Sequence, residues 1–109
     1  MPLPNEGIEL LYTRDCDAWP EAKANLRAAL DNLNIKAVIS EVIMDTMDQA
    51  YIYNFFASPT IHINGVDVDP KGRRTSKRGL GKDRPYFYQG RAWPVPSVEM
   101  IAAALKELY

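Results

Sequence analysis

The chain is poor in the residues that build disulfides and metal sites, with one cysteine and one histidine in 109 residues. Because Cys16 is alone, an intramolecular disulfide and a Cys-x-x-Cys redox pair are excluded, and His62 alone excludes a metal site made from several histidines. No stretch approaches the ~18 apolar residues of a membrane span, and Met1 to Gly7 lacks the basic start and apolar run of a signal peptide. We therefore expect a cytoplasmic protein with no resident metal or cofactor and no membrane contact.

Neither sign of charge dominates the whole chain. It has 14 acidic and 13 basic residues, a formal net charge of −1 and 47% apolar residues, which is typical of one folded domain covering 1–109. The charge is unevenly placed, because Lys71 to Arg84 holds seven basic residues and one acid, a net charge of +6. This basic segment also holds three glycines and little apolar surface, so we predict a flexible surface loop over 71–84.

The first half of the chain predicts a strand, a helix and a second strand. The apolar run Ile8 to Tyr12 is typical of a buried strand, and Lys36 to Met44 is rich in valine and isoleucine. Between them, apolar residues recur at helical spacing from Ala22 to Leu33, with Asp17 as the expected N-cap and Pro20 in the first turn. A β-α-β unit of this kind places its two strands parallel.

The second half predicts a helix, a hairpin and a last helix. Thr46 and Gln49 match a capping box at the start of a helix from about Met47 to Phe55. Asn64-Gly65 between two apolar runs is a strong hairpin signal, and Pro96 to Tyr109 has the apolar periodicity of a helix. The predicted fold is therefore α/β, in the order β-α-β-α-β-β-α, with a four-stranded mixed sheet in strand order 2-1-3-4 and helices on both faces.

This order resembles the minimal thioredoxin-like fold. Cys16 lies between the first strand and the first helix, and Ser58-Pro59-Thr60 precedes the third strand, where thioredoxin-like proteins hold their cis-proline. More narrowly, Ser58 to Val68 with Arg84 to Gly90 downstream is similar to a group of small prokaryotic thioredoxin-like proteins. The resemblance covers roughly residues 8 to 108.

Two positions depart from that family's pattern. Trp19 stands where the second cysteine of Cys-x-x-Cys would be, and Asp83 stands where a downstream cysteine would precede Arg84. A dithiol protein uses its second thiol to break the mixed disulfide formed by the first, so this chain lacks dithiol chemistry. Turnover through Cys16 would need an external thiol such as glutathione.

The site that the resemblance implies centres on Cys16. A helix N-terminus favours the thiolate, whereas the flanking Asp15 and Asp17 raise a thiol pKa, so the two effects oppose each other. In thioredoxin-like proteins the backbone before the cis-proline pairs with an extended substrate, so Ser58 would bind peptide or glutathione as an added strand. The predicted site has Cys16 as the reacting thiol and, as substrate-binding residues, Asp17, Trp19, Ser58, Pro59 and Thr60.

Two functions follow from this reading, and both remain open on the sequence. In the first, the lone thiol performs monothiol redox chemistry by forming mixed disulfides with a thiol or disulfide substrate. The same thiol would alternatively bind a soft metal. In the second, a redox-inactive thioredoxin-like module binds a partner protein through the same face and the basic segment. Nucleic-acid binding is least favoured, because the segment lacks a phosphate-loop motif and Tyr86 to Tyr88 is more typical of a packed strand or lid than of a base-stacking surface.

Overall fold

The computed structural model describes residues 3–109. It contains six strands, three α-helices and a short 3-10 helix, in the order β1 (Ile8–Tyr12), α1 (Trp19–Asn32), β2 (Ile39–Ile43), α2 (Met47–Ile52), β3 (Thr60–Ile63), β4 (Val66–Asp67), the 3-10 helix (Pro70–Arg74), β5 (Tyr86–Tyr88), β6 (Arg91–Trp93) and α3 (Val98–Leu108). Within the described range, every helix is too short or too polar to cross a bilayer.

Four of the strands form one mixed sheet in the order β2-β1-β3-β4. β1 pairs parallel with β2, and β3 pairs antiparallel with both β1 and β4. The sheet order and strand directions predicted from the sequence are therefore confirmed. The order follows because the β1-α1-β2 crossover returns β2 beside β1 in parallel, whereas β3 and β4 are joined by a tight turn.

Helices cover both faces of this sheet. Successive side chains of β1 point to opposite faces, so Ile8 and Leu10 pack in a large core with α1 and α3, whereas Leu11 packs on the other face. There it meets Ala50 of α2 and Phe55. The two apolar clusters thus fix α1 and α3 on one face and α2 on the other.

Two short motifs have the local geometry that the sequence predicts. The Thr46 hydroxyl accepts a hydrogen bond from the Gln49 amide, and the Gln49 side chain accepts one from the Thr46 amide, which completes the capping box. Asn64 and Gly65 have φ of 51° and 81°, the positive values that a type I′ turn requires. Both motifs are confirmed because their partners lie within a few residues of each other.

The ends of several elements differ from prediction, and α3 covers Val98–Leu108 rather than Pro96 to Tyr109. α1 begins at Trp19 with Ala18 as N-cap and no side-chain cap, so Asp17 is not the N-cap, and a proline in the first turn marks the start instead. β2 begins at Ile39 rather than Lys36, since the β1 register starts there and Val38 is 85% exposed. α2 ends at Ile52 rather than Phe55, because the chain turns at Asn54 with φ of 54°.

A second hairpin follows the basic segment. β5 and β6 pair antiparallel around Gln89 and Gly90, whose φ values are 55° and 77°. The predicted packed aromatic strand is thus one arm of a hairpin whose other arm, β6, was not predicted. Its turn has Gln where Asn or Asp usually precedes Gly, so the sequence signal for a turn was weak.

Candidate functional site

A cleft of about 520 Å³ opens where α1 begins, beside Pro59 and against β6. Its apolar wall consists of Pro59, Pro85, Ala92, Trp93 and Pro94. Charged residues also line the cleft, namely Asp17, Glu21, Lys82, Asp83 and Arg84. The cleft therefore combines an apolar surface with charges of both signs.

The Pro59 turn at the base of the cleft is fixed by side chains from three directions. The Ser58–Pro59 peptide bond is cis. The Ser58 hydroxyl accepts a hydrogen bond from the Thr13 amide (3.1 Å), and the Thr60 hydroxyl donates one to the Ala57 carbonyl (2.6 Å). The buried Tyr86 hydroxyl donates to the Pro59 carbonyl. The turn is thus tied both to the loop after β1 and to β5.

The backbone of Ser58 is already paired with the chain itself. Its amide donates to the Gly81 carbonyl (2.7 Å), and its carbonyl accepts from the Arg84 amide (2.9 Å). Ala57 and Gly81 form a parallel bridge, so residues 79–84 run beside the Pro59 turn like an added strand. An extended substrate would therefore have to displace the basic segment in order to pair with Ser58, and that pairing stays a prediction.

Arg84 anchors the end of that segment in the interior. Its guanidinium is 3% exposed and donates to Asp67 Oδ2 (2.8 Å) and Thr60 Oγ1 (2.9 Å). The guanidinium also contacts two aromatic rings, with distances of 4.6 Å to the Phe56 centroid and 4.5 Å to the Tyr86 centroid. The basic segment is thus held at this end, and the predicted flexibility of 71–84 stays a prediction for the exposed positions before it.

Cys16 does not line the cleft. The residue is 4% exposed, belongs to the large core and donates its amide to the Thr13 carbonyl (3.2 Å). Asp17 and Ala18 directly after it do line the cleft, whereas Cys16 itself is buried in the core. A thiol in this position is shielded from a reagent in solvent.

The other predicted site residues divide into two groups. Asp17, Ser58 and Pro59 line the cleft. Trp19 stacks on Tyr12, with ring centroids 4.7 Å apart and planes 8° apart, so it packs on the core. Thr60 is buried and accepts a hydrogen bond from Arg84. The structure therefore brings together three of the six predicted site residues.

The most prominent residue that the sequence reading missed is Trp93. Its indole Nε1 donates to the Tyr88 carbonyl (2.9 Å), its ring stacks on Tyr88 with centroids 5.1 Å apart, and Arg91 lies 3.7 Å from its centroid. The indole is therefore held rigidly against the cleft. The sequence did offer a signal for this apolar wall, because Pro85 and Pro94 flank the aromatic hairpin that carries Trp93.

Acidic groups predominate on the free rim of the cleft. Asp17 and Glu21 line the cleft from the start of α1, and Asp83 lines it from the basic segment. Arg84 is neutralised by Asp67, which leaves Lys82 as the unneutralised cation among the lining residues. The rim would therefore favour a ligand that carries positive charge.

The chain gives no match to protein-family models, to curated proteins or to solved structures. Over residues 3–109, no group of three or more His, Cys, Asp and Glu side chains is arranged to hold a metal ion.

Proposed function

We propose that this chain is a thioredoxin-like binding module that takes a segment of a partner protein in the Pro59 cleft and does no dithiol chemistry. The observation that carries the proposal is the contrast between the open cleft of about 520 Å³ and the core position of Cys16. The cleft offers a preformed apolar surface with a charged rim, which is the usual character of a binding site. The thiol offers no comparable access.

The thioredoxin-like part of the proposal is supported by topology. The order β1-α1-β2-α2-β3-β4 with α3 at the end, and the sheet order β2-β1-β3-β4, are what the resemblance implies. Pro59 directly precedes β3 and lies beside the start of α1, as the cis-proline loop does in that family. The β5–β6 hairpin and the internal pairing of Ser58 lie outside that minimal arrangement.

The cleft fits a partner segment with an apolar side chain next to a basic one. The apolar side chain would pack against Trp93 and the three prolines, and the basic group would meet Asp17 and Glu21. Since Ser58 cannot supply backbone pairing while residues 79–84 lie beside it, recognition would depend on side-chain contacts.

Titration with short peptides, followed by amide NMR, tests this proposal. Peptides that combine an aromatic or aliphatic residue with Lys or Arg should shift the Ala18 and Ala92 signals saturably, and matched peptides with Glu in place of the basic residue should not. Glu21→Gln should weaken binding by about fivefold, as expected for an exposed charge pair at the upper end of its range, ~1 kcal/mol. Asp31→Asn, at an exposed position near the other end of α1, is the matched control and should change nothing.

Ala92→Trp should block the cleft without altering the core, because Ala92 is exposed on β6 and lines the cavity. Loss of peptide binding in Ala92→Trp, with an unchanged amide spectrum away from β6, would support the cleft as the site. Equal shifts with basic and acidic peptides, or binding that survives Ala92→Trp, would refute it.

The second candidate function is monothiol redox chemistry at Cys16. It is favoured by one observation: the next two residues along the chain line the cleft, so a local opening at the start of α1 would bring the thiol into it. The Cys16 thiolate would attack glutathione disulfide, forming one mixed disulfide and releasing one glutathione thiolate. A single glutathione adduct in native buffer that Cys16→Ser abolishes would favour this function. A wild-type chain that forms no adduct would eliminate it.

A further inference from the structure

A second cavity, of about 230 Å³, lies away from the Pro59 cleft and shares none of its lining residues. It opens at the end of the sheet where β3 and β4 meet the basic segment. Its lining consists of Asn54, His62, Gly65, Val66, Asp67, Gly72, Arg73, Thr75 and Arg78. Neither the proposed cleft function nor the thiol chemistry uses these residues.

His62 is the buried polar group in this cavity. It is 3% exposed, and its Nδ1 has no hydrogen-bond partner within residues 3–109. In register it lies opposite Glu9 on one side and Asp67 on the other, so three polar side chains form a row across β1, β3 and β4. Burial lowers the pKa of His62 to about 4, so the imidazole is neutral at pH 7 and offers one N–H and one acceptor nitrogen. Because Nδ1 is itself closed to solvent, only the other ring nitrogen, Nε2, could contact a ligand in the cavity.

Two guanidinium groups are positioned at the same cavity. Arg73 Nε donates to the Asp67 carbonyl (2.7 Å), and its Nη1 pairs with Glu107 (3.0 Å). Arg78 donates to Asn54 Oδ1 (3.0 Å) and to the Lys77 carbonyl (2.7 Å). Arg78 also donates to the Thr75 carbonyl (3.3 Å), and within residues 3–109 no carboxylate neutralises its charge.

The one carboxylate in the lining is already occupied. Asp67 Oδ2 accepts from Arg84 (2.8 Å), and Oδ1 accepts from the Asp69 amide (2.9 Å). Gly72 permits this packing, because a Cβ there would lie 2.5 Å from Asp67 Oδ2 and 2.6 Å from Arg84 Nη2. The repulsion that Asp67 would exert on an anion is thus reduced by its own ion pair, and burial raises the pKa of Glu9, the other carboxyl of the row, which favours its neutral form.

We infer that this cavity binds a small oxyanion of the phosphate class, either inorganic phosphate or the phosphate group of a small monoester. His62 would contact it from the floor of the sheet, and Arg73 and Arg78 would contact it from the basic segment. A tetrahedral oxyanion suits donors that converge from several directions better than a planar carboxylate does. The inference is independent of the Pro59 cleft and would stand if that cleft proved empty.

The single histidine makes the test direct, because its imidazole NMR signals need no assignment among several. At pH 7 and constant ionic strength, inorganic phosphate and glycerol phosphate are titrated separately, with chloride and acetate as comparison anions. We expect the His62 signal to shift saturably with at least one phosphate form and not with chloride or acetate. Binding by inorganic phosphate identifies the free anion as ligand, and binding by the ester alone identifies a monoester.

Arg78→Gln should weaken phosphate affinity about tenfold or more, since it removes a charge-assisted contact. Arg74→Gln removes an exposed cation of the same segment that does not line the cavity, so it should have little effect. A shift that never saturates, one that chloride or acetate reproduces, or equal losses in the two variants would overturn the inference. Arg78 is a surface group bonded to a loop carbonyl and an asparagine, so this test does not depend on altering the buried His62.

Discussion

The buried Arg84–Asp67 pair offers the sharpest test of how the basic segment is held. Arg84→Met keeps most of the apolar stem but removes the guanidinium. Asp67 is then a carboxylate that is only 4% exposed and that keeps its hydrogen bond from the Asp69 amide. The substitution also removes the cation–π contacts with the rings of Phe56 and Tyr86. Breaking a buried ion pair on one side costs ~3–5 kcal/mol, because an uncompensated charge stays in the interior.

Urea unfolding followed by circular dichroism measures this loss. With a slope of ~2 kcal/mol per molar urea, the midpoint of Arg84→Met should fall by about 2 M relative to the wild type. Arg74→Met, at an exposed position of the same segment, should stay within ~0.5 kcal/mol of the wild type and is the matched control.

The double variant separates the charge effect from lost packing. Asp67→Asn removes the partner's charge while keeping an oxygen for the Asp69 amide. Arg84→Met combined with Asp67→Asn should therefore cost less than the sum of the two single changes, by about 1 kcal/mol or more. Strict additivity, or a loss below ~1 kcal/mol for Arg84→Met alone, would refute the view that this pair anchors the segment.

Three further predictions concern other parts of the fold. Thr46→Ala should lower the free energy of unfolding by ~1 kcal/mol, because it removes the hydroxyl that accepts from Gln49, and an unchanged urea midpoint would contradict this. The pKa of His62 is about 4 in the folded chain and ~6.5 in the unfolded chain, so between these pH values the unfolded chain binds one more proton. The contribution of His62 to the free energy of unfolding should therefore fall by ~3 kcal/mol as the pH drops from above 6.5 to below 4. In a pH titration by NMR its signal should stay that of neutral imidazole down to about pH 5, and a midpoint near 6.5 would show that it is solvated. Finally, Cys16 should react slowly with an aromatic disulfide reagent in native buffer and rapidly in denaturing urea, since its thiol is in the core; equal rates in both would place it at the surface.

The parts of this fold that the sequence determined by itself are those specified by nearby residues. The capping box at Thr46, the Asn64-Gly65 turn and the apolar spacing of α1 each depend on partners a few residues away, so their geometry follows from local chemistry. The sheet order followed as well, because a β-α-β crossover and a tight hairpin leave few alternative topologies.

Only the tertiary structure decided what the charged and polar groups do. Nothing in a basic, glycine-rich segment indicates that Arg84 contacts two rings and pairs with Asp67, or that residues 79–84 pair with Ser58, since these contacts join positions far apart in sequence. The burial of Cys16, whose neighbours Asp17 and Ala18 line the cleft, depends on how the core closes around the loop after β1. A lone histidine in a strand likewise gave no sign of the cavity beside His62, because the arginines that face it come from a segment folded back across the sheet end. Local sequence patterns specify elements and turns, whereas a site depends on which distant side chains the folded core brings together.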